Sequence, residues 1–367
     1  MTPVEPGRSA PGLRRAMRRP GIELVPPVPA SDDALSRPPS PLEIWIDRAF
    51  RHGSRMVAWA TVALVFYIVW DIAVVAAPSV REHGLALVTH STWDANRGEF
   101  GILPAIVGTL YTSVLGLTIG TLFGVSVAIF LSEGFLAGGV DTVLKALRLA
   151  EHPLWMRLPT GIENLLRMTV ELLAAVPSVV YGLWGIFVVI PMVRPVADWL
   201  HGHLGWIALF GTTLSGPGIL PASLVLAIMV LPTISAISRD ALSDVPPKLR
   251  EASFGLGATR WETILGVIVP TASTGIFGAV ILGFGRALGE TMALAMLAGN
   301  ANLISWSMFS PANTLAALLA NHFPEAGKLE VGALMYAALV LLGITLLVNV
   351  IGTAIVQRAD ASLKGLR

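Results

Sequence analysis

Arg286 stands twelfth in an apolar run of 23 residues, Gly275 to Leu297. A charge that deep in a hydrocarbon layer costs about 2.5–3.5 kcal/mol on insertion scales, so it calls for a partner or a task. Glu290 follows four residues later, one turn along the same face if the run is a single helix. Two readings are open. In one, Arg286 and Glu290 form a structural ion pair. In the other, Arg286 meets a tetrahedral oxyanion, whose oxygens match the planar fork of guanidinium donors. Glu290 then keeps the empty site near neutral and competes for Arg286 on release. Gly285 and Gly289 flank the arginine and leave room for a ligand or a neighbouring helix.

A second constellation lies between two apolar runs, in DALSDVPPKLREASFGLGATRWETILGVIVPTA. Asp244 precedes Pro246 and Pro247, a helix-start signal. Lys248 to Phe254 reads as a short helix, and Gly255 and Gly257 permit a sharp turn. Trp261 to Val269 begins a second helix, and Pro270 leads into the next apolar run. The result is a helix–turn–helix with Leu249, Phe254, Leu256 and Trp261 available for docking.

Other chemistry is bounded by composition. The chain has no cysteine, which excludes disulfides, thiolate metal sites and cysteine nucleophiles. His201 and His203 are the only close histidine pair, with no third ligand nearby, and read as ordinary loop residues. The sequence has no Gly-x-x-x-x-Gly-Lys-Ser/Thr phosphate loop, so ATP is not hydrolysed here by that route.

The elements that must position these residues are membrane spans. The chain is 54% hydrophobic and 13% charged, against about 25% charged in soluble domains. Six runs approach or exceed the roughly 20 residues that cross a bilayer. They lie at about Met56–Ala77, Pro104–Leu131, Thr169–Val193, Ile219–Ile237, Gly275–Leu297 and Val331–Val356. The expected fold is all-α and polytopic. Gly116, Gly120 and Gly124 leave one face of the second span bare for close helix contact. Pro177 and Pro232 are candidate kinks, and Pro78 ends the first span. Asp71 and Glu171 read as structural, Glu171 pairing with Arg167.

Residues 1–41 hold ten of the 25 prolines, and with Arg14, Arg15, Arg18 and Arg19 they read as a disordered basic tail rather than a secretory signal. Residues 42–55 read as an interfacial helix or a linker. Lys and Arg set the orientation. Segments 1–55, 132–168, 238–274 and 357–367 hold 9, 4, 4 and 3 of them, which is 20 of 25, while the alternate loops hold four. Both termini are expected to be cytoplasmic, with residues 79–101, 194–217 and 298–330 outside.

The cytoplasmic loop resembles the EAA loop of ABC importer permeases. That motif is Glu-Ala-Ala, three residues, Gly, nine residues, Ile-x-Leu-Pro. Here it reads Glu251, Ala252, Ser253, then Gly257, then Val267, Val269 and Pro270, with the spacing kept. Three further stretches resemble PstC-type phosphate permeases: residues 100–133, 170–189 and 282–300, the last containing Gly-Arg-Ala-Leu-Gly-Glu-Thr. The likeness extends over roughly residues 93 to 357. It departs at 134–168, which is longer than the family pattern and reads as an extra surface helix.

The resemblance implies a type I ABC importer permease fold. A first transmembrane helix at 56–78 would precede a five-helix permease domain at 100–357, with a cytoplasmic tail at 358–367. It implies a subunit of an ATP-driven phosphate importer in the bacterial inner membrane. Its partners would be a PstA-type second permease, two ATPase subunits carrying ATP and Mg, and a phosphate-binding protein outside. No cofactor is expected on this chain, and no nucleic acid. Arg286, Glu290, Gly285 and Gly289 would line the pathway. Glu251, Ala252, Ser253, Gly257, Val267 and Pro270 would shape the ATPase-coupling loop. The competing readings are a permease for sulfate, molybdate or phosphonate, an ion-coupled secondary transporter, and an intramembrane enzyme. No Ser/His/Asp set supports the last.

Overall fold

The computed structural model describes residues 40–135 and 158–364, apart from the side chains of 158–160 and 359–364. The expectations for the basic tail over 1–39, for the insertion over 136–157 and for residues 365–367 lie outside the described residues. The chain divides into two units, Met1–Val65 and Phe66–Arg367.

The first unit contains the start of α1 (Pro41–His83). Ser40 and Glu43 form a reciprocal cap there: the Ser40 amide donates to Glu43 Oε2 at 2.6 Å, and the Glu43 amide to Ser40 Oγ at 3.3 Å. The residues expected to form an interfacial helix therefore belong to the first spanning helix. Pro78 does not end that helix, which runs on to His83.

The second unit is mostly helical. After α1 come α2 (Ala86–Thr89) and a small antiparallel hairpin, β1 (Trp93–Asp94) with β2 (Glu99–Phe100), which the all-α expectation did not contain. Then follow α3 (Leu103–Ser132), α4 (Leu158–Ala175), α5 (Ser178–Leu204) and α6 (Ile219–Ser243). The remainder are α7 (Pro247–Gly255), α8 (Arg260–Leu288), α9 (Met292–Leu297), α10 (Leu315–His322) and α11 (Lys328–Lys364). Among the described residues six helices are long and apolar enough to cross a membrane: α1, α3, α5, α6, α8 and α11.

Two spans sit elsewhere than expected. The third is Ser178–Leu204, not Thr169–Val193. Residues 158–175 form the separate helix α4, with Ile162, Leu165, Leu166 and Leu172 on one side and Arg167 and Glu171 on the other. Pro177 causes the division. It cannot continue a helix and disfavours helical backbone at Val176, and it stands at φ −60°, ψ 140° as the cap of α5. The fifth span is Arg260–Leu288, not Gly275–Leu297. Both α5 and α8 contain one π-helical turn, at Gly185–Val189 and Ile264–Ile268. Each wide turn lies just before a proline, Pro191 or Pro270, which has no N–H to return to the preceding turn.

The most buried span is α6, and α3 lies along it through the predicted glycine face. A Cβ at Gly120 would stand 2.6 Å from Val230 Cγ2 and 3.1 Å from the Ala227 carbonyl. At Gly116 it would meet the Ser223 carbonyl at 3.1 Å, and at Gly124 Ile234 Cγ2 at 3.0 Å. The backbones approach because no side chain separates them. Below this seam Ala128, Leu242, Val245, Ile264 and Ile268 are buried together, which roots the loop between α6 and α8 in the bundle.

Candidate functional site

Arg286 lies in the last turn of α8. Its depth follows from the helix beside it. Gly275 faces Ala241 and Gly283 faces Ile234, so α8 runs antiparallel to α6. Arg286, one turn past Gly283, is then level with the middle of α6 (Ile219–Ser243). Thr233 of α6 indeed lines the same cleft as Arg286, together with Leu282, Gly285, Thr345 and Asn349, around a volume of about 410 Å³. The arginine side chain is exposed on this chain. Tyr181, held by a 2.7 Å hydrogen bond from its hydroxyl to the Leu173 carbonyl, lies within electrostatic reach of it.

The expected pair between Arg286 and Glu290 is not formed. The run is not one helix: α8 stops at Leu288, Gly289 is its cap, and α9 begins at Met292. Glu290 therefore does not lie one turn above Arg286. Its Oε1 accepts from the Ala293 amide at 3.4 Å, at the start of α9. Each charge occupies a helix end of suitable sign, the cation at a C-terminus and the carboxylate at an N-terminus. Among the described residues Arg286 has no ion pair and no hydrogen bond. Gly285 makes room as expected, and the room is used by Asn349: a Cβ at 285 would stand 3.4 Å from Asn349 Oδ1. Gly289 is exposed at the break.

Thr233, Thr345 and Asn349 were not singled out from the sequence. The available signal was a polar side chain inside an otherwise apolar run, most clearly the carboxamide of Asn349.

The loop between α6 and α8 is the predicted helix–turn–helix. Gly257 takes φ +86°, a left-handed conformation that a side chain disfavours. The turn is closed by the Ala258 amide donating to the Ser253 carbonyl at 3.2 Å. Thr259 caps α8 reciprocally with Glu262. Ser253, where the motif has Ala, is buried, and its hydroxyl is 2.9 Å from that of Thr263, tying the two arms together. Arg250 donates to Glu133 Oε1 at 2.6 Å and to the Leu242 carbonyl at 3.0 Å, and Arg260 to the Glu133 carbonyl. The loop is thus bolted to the end of α3. Val267 lies in the π turn and Pro270 just after it. Glu251, Ala252, Phe254, Leu256 and Trp261 are exposed, Leu256 at 90%.

The remaining candidates are structural. His201 donates to the Phe210 carbonyl and His203 to the Trp199 carbonyl, both at 2.8 Å. Among the described residues no three His, Asp or Glu side chains converge as a metal site. Arg167 pairs with Glu171 at 2.9 Å, on α4 rather than at the head of the third span.

Six helices long and apolar enough to cross a membrane, with a hydrogen-bonded helix–turn–helix between the fourth and fifth, define a class. The chain belongs to the family of binding-protein-dependent transport system inner membrane components, whose family model matches residues 149–364. Its fold is shared with a solved structure, a bacterial alginate ABC transporter in complex with an alginate pentasaccharide-bound periplasmic protein. The TM-score is 0.52 at 15% identity, over 84% of this chain and 97% of that one. Within the family the chain is similar to phosphate transport system permease proteins PstC. It is 36% identical to the PstC protein of Haemophilus influenzae over 86% of this chain and 95% of that protein. It is also 36% identical to the PstC protein of Mesorhizobium japonicum, over 92% and 97%.

Proposed function

We propose that this chain is the PstC-type permease subunit of an ATP-driven importer of inorganic phosphate. It lies in the bacterial inner membrane with both termini in the cytoplasm and forms half of the pathway. A PstA-type permease supplies the other half, and a phosphate-binding protein delivers the anion outside. Two ATP-binding cassette subunits, holding ATP and Mg, drive the importer, and one of them docks on α7. The strong Lys/Arg excess in the segments assigned to the cytoplasm supports this orientation. The exposed apolar residues Phe254, Leu256 and Trp261 suit a protein partner at α7.

The observation that carries the reading is Arg286. It stands level with the middle of the most buried helix, beside a cleft, with no carboxylate paired to it among the described residues. An unpaired guanidinium there offers an anion donors that need not first be freed. The likeness to PstC proteins supports phosphate as that anion. Closure of the ATPase pair would pull on α7, and the Arg250–Glu133 and Ser253–Thr263 contacts would pass the motion to α3 and α8, opening the cleft to alternate sides.

The test is uptake. The chain is expressed with its three partner types in cells deleted for other phosphate importers. Radiolabelled phosphate should accumulate, unlabelled phosphate should compete, and excess sulfate or molybdate should not. Accumulation of sulfate or molybdate in place of phosphate would assign the machine to another oxyanion.

A further inference from the structure

The cleft beside Arg286 contains a carboxamide that makes no hydrogen bond among the described residues. Asn349 lies within α11, among Leu346, Leu347, Val350 and Ile351, in a helix that is apolar through its span. A polar side chain in such a helix is retained where it bonds to something. Among the described residues the Asn349 side chain bonds to nothing. Its neighbours are occupied: Thr345 Oγ1 donates to the Leu341 carbonyl and Thr353 Oγ1 to the Asn349 carbonyl, each at 2.8 Å. The carboxamide is half-buried against the bare backbone of Gly285, the residue before Arg286. Thr233 of α6 borders the same cleft.

We infer that Asn349 is a second ligand of the transported anion, acting with Arg286 across the contact between α8 and α11. This rests on the reading of the cleft as a phosphate pathway. The division of labour follows from the groups. Arg286 offers only donors, which suit the charged oxygens. The carboxamide offers both a donor and an acceptor. Its Nδ2 donates to a third oxygen, and its Oδ1 accepts a hydrogen bond from the hydroxyl that hydrogen phosphate still carries. Because the two ligands sit on different helices, sliding of α8 against α11 separates them and loosens the anion.

The experiment uses the complete importer in cells, with radiolabelled phosphate as the probe. Complex yield is read by co-purification of the ATPase, and thermal stability by loss of the purified complex on heating. Asn349→Leu, close in volume and without polar atoms, should lower the maximal uptake rate at least about tenfold at unchanged complex yield. KM, set by capture outside the membrane, should not move. Asn349→Gln should restore part of the rate. Asn349→Asp places a carboxylate beside Arg286, and it should abolish uptake while stability is unchanged or raised. A native maximal rate in Asn349→Leu overturns the inference. So does a loss of rate in both Leu and Asp variants that merely tracks loss of complex. If the unaltered protein imports no phosphate, the reading of the pathway fails, and this inference falls with it.

Discussion

Arg286 ends one helix and Glu290 caps the next, so two opposite charges four residues apart in the chain do not pair. The break at Gly289–Thr291 turns a candidate ion pair into two separately placed charges. It leaves the guanidinium available to something else.

This makes a stability prediction. Removing one member of a buried ion pair costs about 3–5 kcal/mol, because the other is left uncompensated. Arg286→Gln breaks no such pair here, so the thermal stability of the purified complex should change by less than about 1 kcal/mol. A loss of the larger size would mean that the pair forms in the membrane.

The loop proposed to meet the ATPase turns on Gly257, whose φ of +86° strongly favours glycine, although nothing crowds the position. Gly257→Val should distort the loop by imposing a strain of about 1–3 kcal/mol at one residue. ATP hydrolysis by the complex should persist while phosphate uptake per ATP falls. The ratio of the two rates in proteoliposomes measures it, and an unchanged ratio contradicts the coupling role.

Three glycines on spanning helices should respond differently to alanine. At Gly108 a Cβ would collide with the Asn313 carbonyl oxygen, a backbone atom with little freedom to move. At Gly120 it would press Val230 at 2.6 Å, and overpacking of that kind costs about 1–3 kcal/mol. At Gly343 nothing lies within 4 Å, so alanine should be neutral or stabilise the helix by up to about 1 kcal/mol. The expected order of thermal stability is Gly343→Ala, then Gly120→Ala, then Gly108→Ala.

Topology can be read with single cysteines, since the chain has none of its own. A membrane-impermeant thiol reagent applied to intact cells should label Arg97→Cys and not Arg250→Cys. The reverse pattern would invert the orientation.

Much of this was legible in the residues. The stripe Gly116–Gly120–Gly124 pointed to a close helix contact, because backbone approach leaves a spacing of four in the sequence, though not to α6 as the partner. The turn at Gly257 and the pairing of Arg167 with Glu171 are local, and local patterns are readable. What escaped were breaks inside apolar runs. Hydropathy registers how apolar a stretch is and not whether its axis continues, so α4 merged with α5 across Pro177, and α8 with α9 across Gly289. The bond between Ser253 and Thr263 was hidden behind a conservative departure from the loop motif. Asn349 was hidden by its distance of more than sixty residues from Arg286, which only the packing of α11 on α8 removes.

The central claim is that Arg286 binds the passing anion. The most direct measurement is the initial rate of radiolabelled phosphate uptake by Arg286→Gln, at permease levels matched by blot and with the complex shown to assemble. The account predicts a fall of about a hundredfold or more, the scale of losing a placed donor to a charged oxygen. Arg286→Lys, which keeps the charge but not the fork, should also transport poorly. An assembled Arg286→Gln complex importing phosphate at the native rate would contradict the claim.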